Sequence, residues 1–166
     1  MHSGTIRQKK LQAKVRWYPT SMSSQIATYE DANLLLRLYE LRREDKLREA
    51  RAWFGSHYKP KSFDEANQLA PMGSEQNAYV RMAISYWEMV ASLITSGVLN
   101  EDLFFETGHE MIMVWERVRD ITPKVREVYK NPLYLHNMEE TCARFEKHLN
   151  KRVPGAYAEM AAVIRA

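Results

Sequence analysis

The chain lacks most of the devices that announce a chemistry. Its 166 residues hold a single cysteine, Cys142. That excludes an internal disulfide framework and suits a reducing, cytoplasmic setting. Long apolar runs are missing too. Met111 to Trp115 is a typical stretch, far short of the ~20 residues a membrane helix needs. The N-terminus is basic without the apolar core of a secretory signal. Six glycines are scattered; none stands as GxGxxG or as GxxxxGK before Ser or Thr, so no phosphate-cradling loop is present. No serine sits in a nucleophile-elbow context. Strand-like alternation, internal repeats and low-complexity tracts are absent. Acidic residues are missing from residues 1–29, which carry Arg7, Lys9, Lys10, Lys14 and Arg16. Of the net charge of +3, +5 therefore belongs to this arm, leaving −2 for residues 30–166.

What is present points to helices. Apolar content is 45%, with four Trp and nine Tyr, enough for a proper core and against wholesale disorder. The stretch from Ser74 to Arg119 reads as two amphipathic helices joined by a turn at Gly97-Val98-Leu99-Asn100. Tyr79, Met82, Ala83, Tyr86, Trp87, Val90, Leu93 and Ile94 share one face at helical spacing. Arg81, Ser85, Glu88, Ser92 and Thr95 take the other. Ser74 is placed to cap the first helix, Gly97 to stop it and Asn100 to cap the second. In the second helix, Leu103, Phe104, Met111, Ile112, Val114, Trp115 and Val118 share a side. Glu106, His109, Glu110, Glu116, Arg117 and Asp120 take the polar side. Gly108 falls in the apolar arc, where it is expected to permit close helix approach.

Before the hairpin, Thr28 and Asp31 mark a capping box for one long helix running to Phe54 and stopping at Gly55. It carries two apolar stripes. Leu34, Leu35, Leu38 and Leu41 form one; Leu36, Leu47, Ala50 and Phe54 form another, rotated round the axis. A dense charge run separates them. Two stripes imply a bend, different neighbours at the two ends, or a second chain. Ser62 and Glu65 make a capping box for a short helix, Phe63 to Leu69 or Ala70. After the hairpin, Thr122-Pro123 opens a helix to Lys130. Leu133 to Asn150 and Ala156 to Ile164 follow, set off by Asn131-Pro132 and Pro154-Gly155. The expected fold is all-α: an irregular bundle of four main helices plus two or three short ones, with a central antiparallel hairpin. Residues 1–27 form a basic arm and residues 28–166 the helical domain.

Candidate chemistry is thin. Glu106-x-x-His109 has the spacing of a di-iron ligand unit, but a second such unit is missing and both residues lie on the polar face. Met113 stands where a zinc-protease motif beginning at His109 needs its second histidine. Cys142 lies in an apolar stripe, the place of a small buried hydrophobe rather than an activated thiolate. Met82, Tyr86, Trp87, Met111 and Trp115 read as core before they read as a ligand box. No catalytic residue, cofactor site or metal site emerges.

Tyr86-Trp87, Gly97 with Leu99 and Leu103, Trp115, and Pro123 with Arg126 resemble a small helical domain of uncharacterised bacterial proteins. The resemblance covers roughly residues 30–145. It implies an all-helical fold and no known activity, and it supplies no catalytic residues. Members of that family frequently carry an N-terminal membrane helix, whereas the N-terminus here is basic and polar.

The functional expectation is a binding or interaction domain that self-associates as a homo-oligomer. Leu36, Leu47 and Phe54 on the first helix are the candidate contact residues. The alternative is nucleic-acid or anionic-surface binding through Arg7, Lys9, Lys10, Lys14, Arg16 and Trp17, which combine phosphate contacts with a stacking ring. A helical enzyme or metal-binding bundle is the third reading.

Overall fold

A computed structural model describes residues 26–166. Among these residues the chain is all helical, without strands. The elements are α1 (Tyr29–Leu41), α2 (Asp45–His57), α3 (Phe63–Leu69), α4 (Glu75–Thr95), α5 (Glu101–Phe105), α6 (His109–Val118), α7 (Thr122–Tyr129), α8 (His136–Arg152) and α9 (Ala156–Arg165). No helix among the described residues is long and apolar enough to cross a membrane. The arm residues Arg7, Lys9, Lys10, Lys14, Arg16 and Trp17 lie outside the described residues.

The single long helix expected from Thr28 to Phe54 is two helices. The start is as expected: Thr28 Oγ1 accepts from the Asp31 N–H at 3.1 Å, and Asp31 accepts from the Thr28 N–H at 2.8 Å. The break comes in the charge run. Glu44 turns out of helical geometry, and its carboxylate accepts from the Leu47 N–H at 2.8 Å, capping α2. That redirection is what the two rotated stripes encode. It lets Leu38 on α1 and Phe54 on α2 both enter the interior. Gly55 does not stop α2, which continues to His57. Arg117 Nη1 donates to the Phe54 and Gly55 carbonyls at 2.7 and 2.6 Å, adding to the Tyr58 N–H that already serves Phe54 and supporting carbonyls of the last turn.

The 21-residue α4 is the central element. It packs most extensively against α2, next against α8, and much less against α6. Ser74 caps it, its hydroxyl accepting from the Asn77 N–H at 3.1 Å. At its end Gly97 takes φ of +75°, and the Val98 and Leu99 N–H groups both reach back to the Leu93 carbonyl, closing the helix. Leu99 is thereby turned fully inward. Asn100 caps α5 through the Leu103 N–H at 2.9 Å.

The second arm of the expected hairpin is also broken, into α5 and α6. Gly108, which precedes α6, permits the close approach of Phe104 from the short helix α5. A Cβ there would stand 2.2 Å from Cε1 of Phe104, one turn back in the chain. The glycine exists so that the Phe104 ring can cross its own backbone and stay buried. Further on, Thr122 does not cap α7. Ile121 takes the cap position, and the Thr122 hydroxyl is buried and donates to the Val118 carbonyl at 2.8 Å. The helix expected from Leu133 begins at His136, because Asn131 bends the preceding segment through a bond from the Leu133 N–H at 3.1 Å.

Candidate functional site

A cavity of about 330 Å³ opens beside α4, between α3 and the α7 region. Its walls follow from helical spacing. Asn77, Val80, Arg81 and Ile84 repeat at i, i+3, i+4 and i+7 along α4. Phe63, Ala66 and Asn67 stand at i, i+3 and i+4 along the short α3. Thr122, Val125 and Tyr129 line it from α7, and Tyr58 closes it from the end of α2. The α7–α8 connection supplies Asn131 and Tyr134.

The lining is mainly apolar, with a small set of polar groups. The Tyr58 and Tyr134 hydroxyls have no hydrogen-bond partner among the described residues. Burial is the main cause pushing both phenols above their ordinary pKa of 10.0; for Tyr58 the neighbouring Tyr134 adds to it. Both are therefore hydrogen-bond donors at neutral pH. Arg81 is exposed and makes no ion pair among the described residues, so it brings an uncompensated cation to the opening.

The α7–α8 connection is held in an unusual shape. Lys130 and Leu135 both adopt the left-handed conformation, at φ of 53° and 56°, which costs a non-glycine residue roughly 1 kcal/mol. Three side chains, Arg126, Glu88 and Thr95, hold it in place. Arg126 Nε donates to the Tyr134 carbonyl at 2.9 Å, and its Nη2 meets Glu139 at 2.7 Å. From α4, Glu88 accepts from the Met138 N–H at 2.9 Å and from the Asn137 N–H at 3.1 Å. Thr95 Oγ1 donates to Asn137 Oδ1 at 2.7 Å. Glu88 and Thr95, expected on the polar face of this helix, are thus not solvent-facing; α8 covers their side of α4. No residue spacing announces a carboxylate that caps a helix some fifty positions away.

A second polar centre was also hidden from the sequence. Glu116, expected on the polar face of α6, is buried. Its Oε1 accepts from the Tyr157 hydroxyl at 2.6 Å and from Arg119 at 2.9 Å, and its Oε2 from Arg165 Nε at 2.7 Å. Burial raises its pKa, yet these donors more than offset that and hold the carboxyl below its ordinary 4.5. α9 causes this burial, because it lies against the polar side of α6. Glu110 is likewise drawn into a partly buried cluster with Arg42 and Arg51.

The remaining sequence candidates are dispersed. Glu106 is exposed and pairs with Arg152 at 3.1 Å, while His109 lies edge-on to Phe145. No group of three metal-ligating side chains occurs among the described residues. Cys142 is buried, and burial raises its pKa well above the ordinary thiol value. Met111 and Trp115 are core, and Tyr86 and Trp87 border only a 20 Å³ crevice against α1. Of the self-association candidates, Leu36 is 63% exposed, Leu47 is half-buried against the core, and Phe54 is wholly interior. Phe54 has no surface left to offer another chain, because the turn at Glu44 rotates its stripe inward.

No curated protein and no solved structure matches the chain significantly. One protein family does match, over residues 27–145, which takes in α1 to α7 and the first part of α8 and leaves α9 outside. The aromatic and glycine positions that suggested a small uncharacterised helical family all fall inside that span, and the chain belongs to the family described as a domain of unknown function, DUF4760.

Proposed function

We propose that this chain is a small-molecule-binding helical domain whose site is the cavity between α3, α4 and α7. The observation that carries the reading is the cavity itself: about 330 Å³, mainly apolar, with phenol donors at Tyr58 and Tyr134. Ligand pockets typically start at about 300 Å³ and combine apolar walls with a few fixed polar groups. The ligand that suits it has a compact apolar body and one acceptor or anionic group directed at Arg81. The two left-handed residues flanking Asn131 and Tyr134 add support, since strained backbone concentrates at binding sites. An anionic aromatic dye such as anilinonaphthalene sulfonate tests it. The native protein should bind one equivalent, and Ala66→Phe, which fills the cavity, should abolish the signal while unfolding stays cooperative. Equal dye binding by both proteins sinks the proposal.

A second reading, self-association through α1, is favoured by one observation. Tyr29 and Leu36 are 77% and 63% exposed on the side of α1 away from Leu38, with Tyr39, 52% exposed, at the edge of that face. Apolar side chains grouped on one exposed helix face suit a partner surface, here a second copy. Sedimentation should find a dimer that Leu36→Glu converts to monomer; a monomeric native protein at high concentration removes this reading.

A further inference from the structure

A separate hollow of about 100 Å³ lies between the loop after α2, the end of α6 and α9. It shares no lining residue with the larger cavity. Its charged lining is Lys59, Lys61, Arg117 and Arg165, with Glu116 and Asp120. The carboxylates are already matched. Glu116 is held by Arg165, Arg119 and the Tyr157 hydroxyl, and Asp120 stands 3.7 Å from Arg165 and 3.8 Å from Arg119.

Three cations are then left without a carboxylate. Lys59 makes no ion pair among the described residues. The Lys61 ammonium donates to a backbone carbonyl, that of Arg165, at 2.8 Å. Arg117 donates through Nη1 to the carbonyls of Phe54 and Gly55, and its Nε is buried without any partner. Carbonyl dipoles satisfy hydrogen bonds but carry no net charge, so these three side chains keep their positive charge at the hollow; the nearby Glu65 carboxylate is engaged by the Lys61 backbone N–H at 2.7 Å. A partly buried cation in this position gains from an anion more than a solvated surface lysine does. Burial already lowers the pKa of Arg117, the mark of a charge that lacks compensation.

We propose that this hollow binds a tetrahedral oxyanion of the phosphate class, with Lys59, Lys61 and Arg117 as its ligands. A hollow of about 100 Å³ has room for several water molecules and so for a phosphate group. The rest of a phosphomonoester would project outward past the two lysines. Arginine and lysine together supply the usual donors for such a group.

Calorimetry and thermal unfolding with inorganic phosphate, glycerol phosphate and chloride at matched ionic strength test this. Saturable binding and a raised Tm with phosphate, absent with chloride, are expected. The Lys59→Gln/Lys61→Gln double variant should bind about tenfold more weakly. Lys59→Gln alone is the control for folding, because that side chain holds no bond in the structure, and it should still weaken binding several-fold. Equal binding of glycerol phosphate would identify a monoester as the source, and binding of inorganic phosphate alone would identify the free ion. Failure of the native protein to distinguish phosphate from chloride overturns the proposal, as does undiminished phosphate affinity in a folded Lys59→Gln variant.

Discussion

Glu88 on α4 caps α8 across the bundle. Its two carboxylate oxygens accept from the N–H groups of Asn137 and Met138 at 3.1 and 2.9 Å, and from the Asn137 amide at 2.8 Å. α8 has no cap of its own, because Leu135 precedes it in the left-handed conformation with no side-chain oxygen to give. The carboxylate also sits where the helix dipole favours negative charge. This one contact joins the central helix to the connection that walls the cavity.

Glu88→Ala should therefore cost about 2 kcal/mol, the upper end for losing a helix cap. Glu88→Gln keeps an acceptor oxygen and should cost about half as much. Urea unfolding of the two variants checks both the size and the order. Equal losses would mean that the carboxylate's charge and second oxygen contribute nothing.

The Glu116 cluster predicts an acid-sensitive anchor for α9. Glu116 titrates below its ordinary 4.5, so its contribution is full above that value and is lost as pH falls through the folded-state pKa. At pH 7, Glu116→Gln should be less stable by roughly 2–3 kcal/mol, since charged hydrogen bonds to Tyr157, Arg119 and Arg165 are weakened. The gap between native protein and variant should close as pH drops below about 4.5. Thermal unfolding from pH 7 to pH 3 reads this out, and a constant gap would contradict it.

Two glycines should respond with opposite signs. Gly55 lies inside α2, and a Cβ there would meet nothing within 4 Å. Gly55→Ala should stabilise by about 0.5–1 kcal/mol, because alanine loses less backbone freedom in a helix. Gly108→Ala places its Cβ 2.2 Å from the Phe104 ring. Displacing that buried ring should cost about 1–3 kcal/mol, the range for an overpacked core. Chemical denaturation of the two variants side by side is sufficient; matching signs would refute the account of Gly108.

The two left-handed residues should also separate. Lys130 is exposed at φ of 53°, so Lys130→Gly should relieve strain and stabilise by about 1 kcal/mol. Leu135 has nearly the same backbone but is buried. Leu135→Gly should destabilise by about 2 kcal/mol or more, because lost apolar burial exceeds the strain relieved. Thermal midpoints of both variants give the comparison, and a gain in stability for Leu135→Gly would show that strain outweighs burial there.

Local signals proved legible wherever a residue acts on its own neighbours. The caps at Thr28, Ser62, Ser74 and Asn100 act within three residues, and each does so in the fold. The glycine turn at Gly97 is of the same kind. Of the apolar face of α4 from Tyr79 to Ile94, all but the half-buried Met82 and Leu93 are buried, as its spacing requires. Errors gathered where a second element decides. Gly55 looked like a stop, yet α2 runs on to His57, and Arg117 from α6 bonds the carbonyls there. Glu88 and Glu116 looked solvated until α8 and α9 covered them.

The sequence by itself determined that this is an all-helical domain, where most of its helices begin, and which residues are too apolar to stay outside. Those properties come from helical periodicity and short-range capping, which need no knowledge of neighbours. Only the tertiary structure decided that the first long helix bends at Glu44, that α4 chooses α2 and α8 as its main partners, and that cavities form beside Ile84 and Arg117. A cavity is a space left between elements distant in the chain, and a buried carboxylate is set by what lies over it. Neither has a period along one helix, so each appears only once the helices are packed.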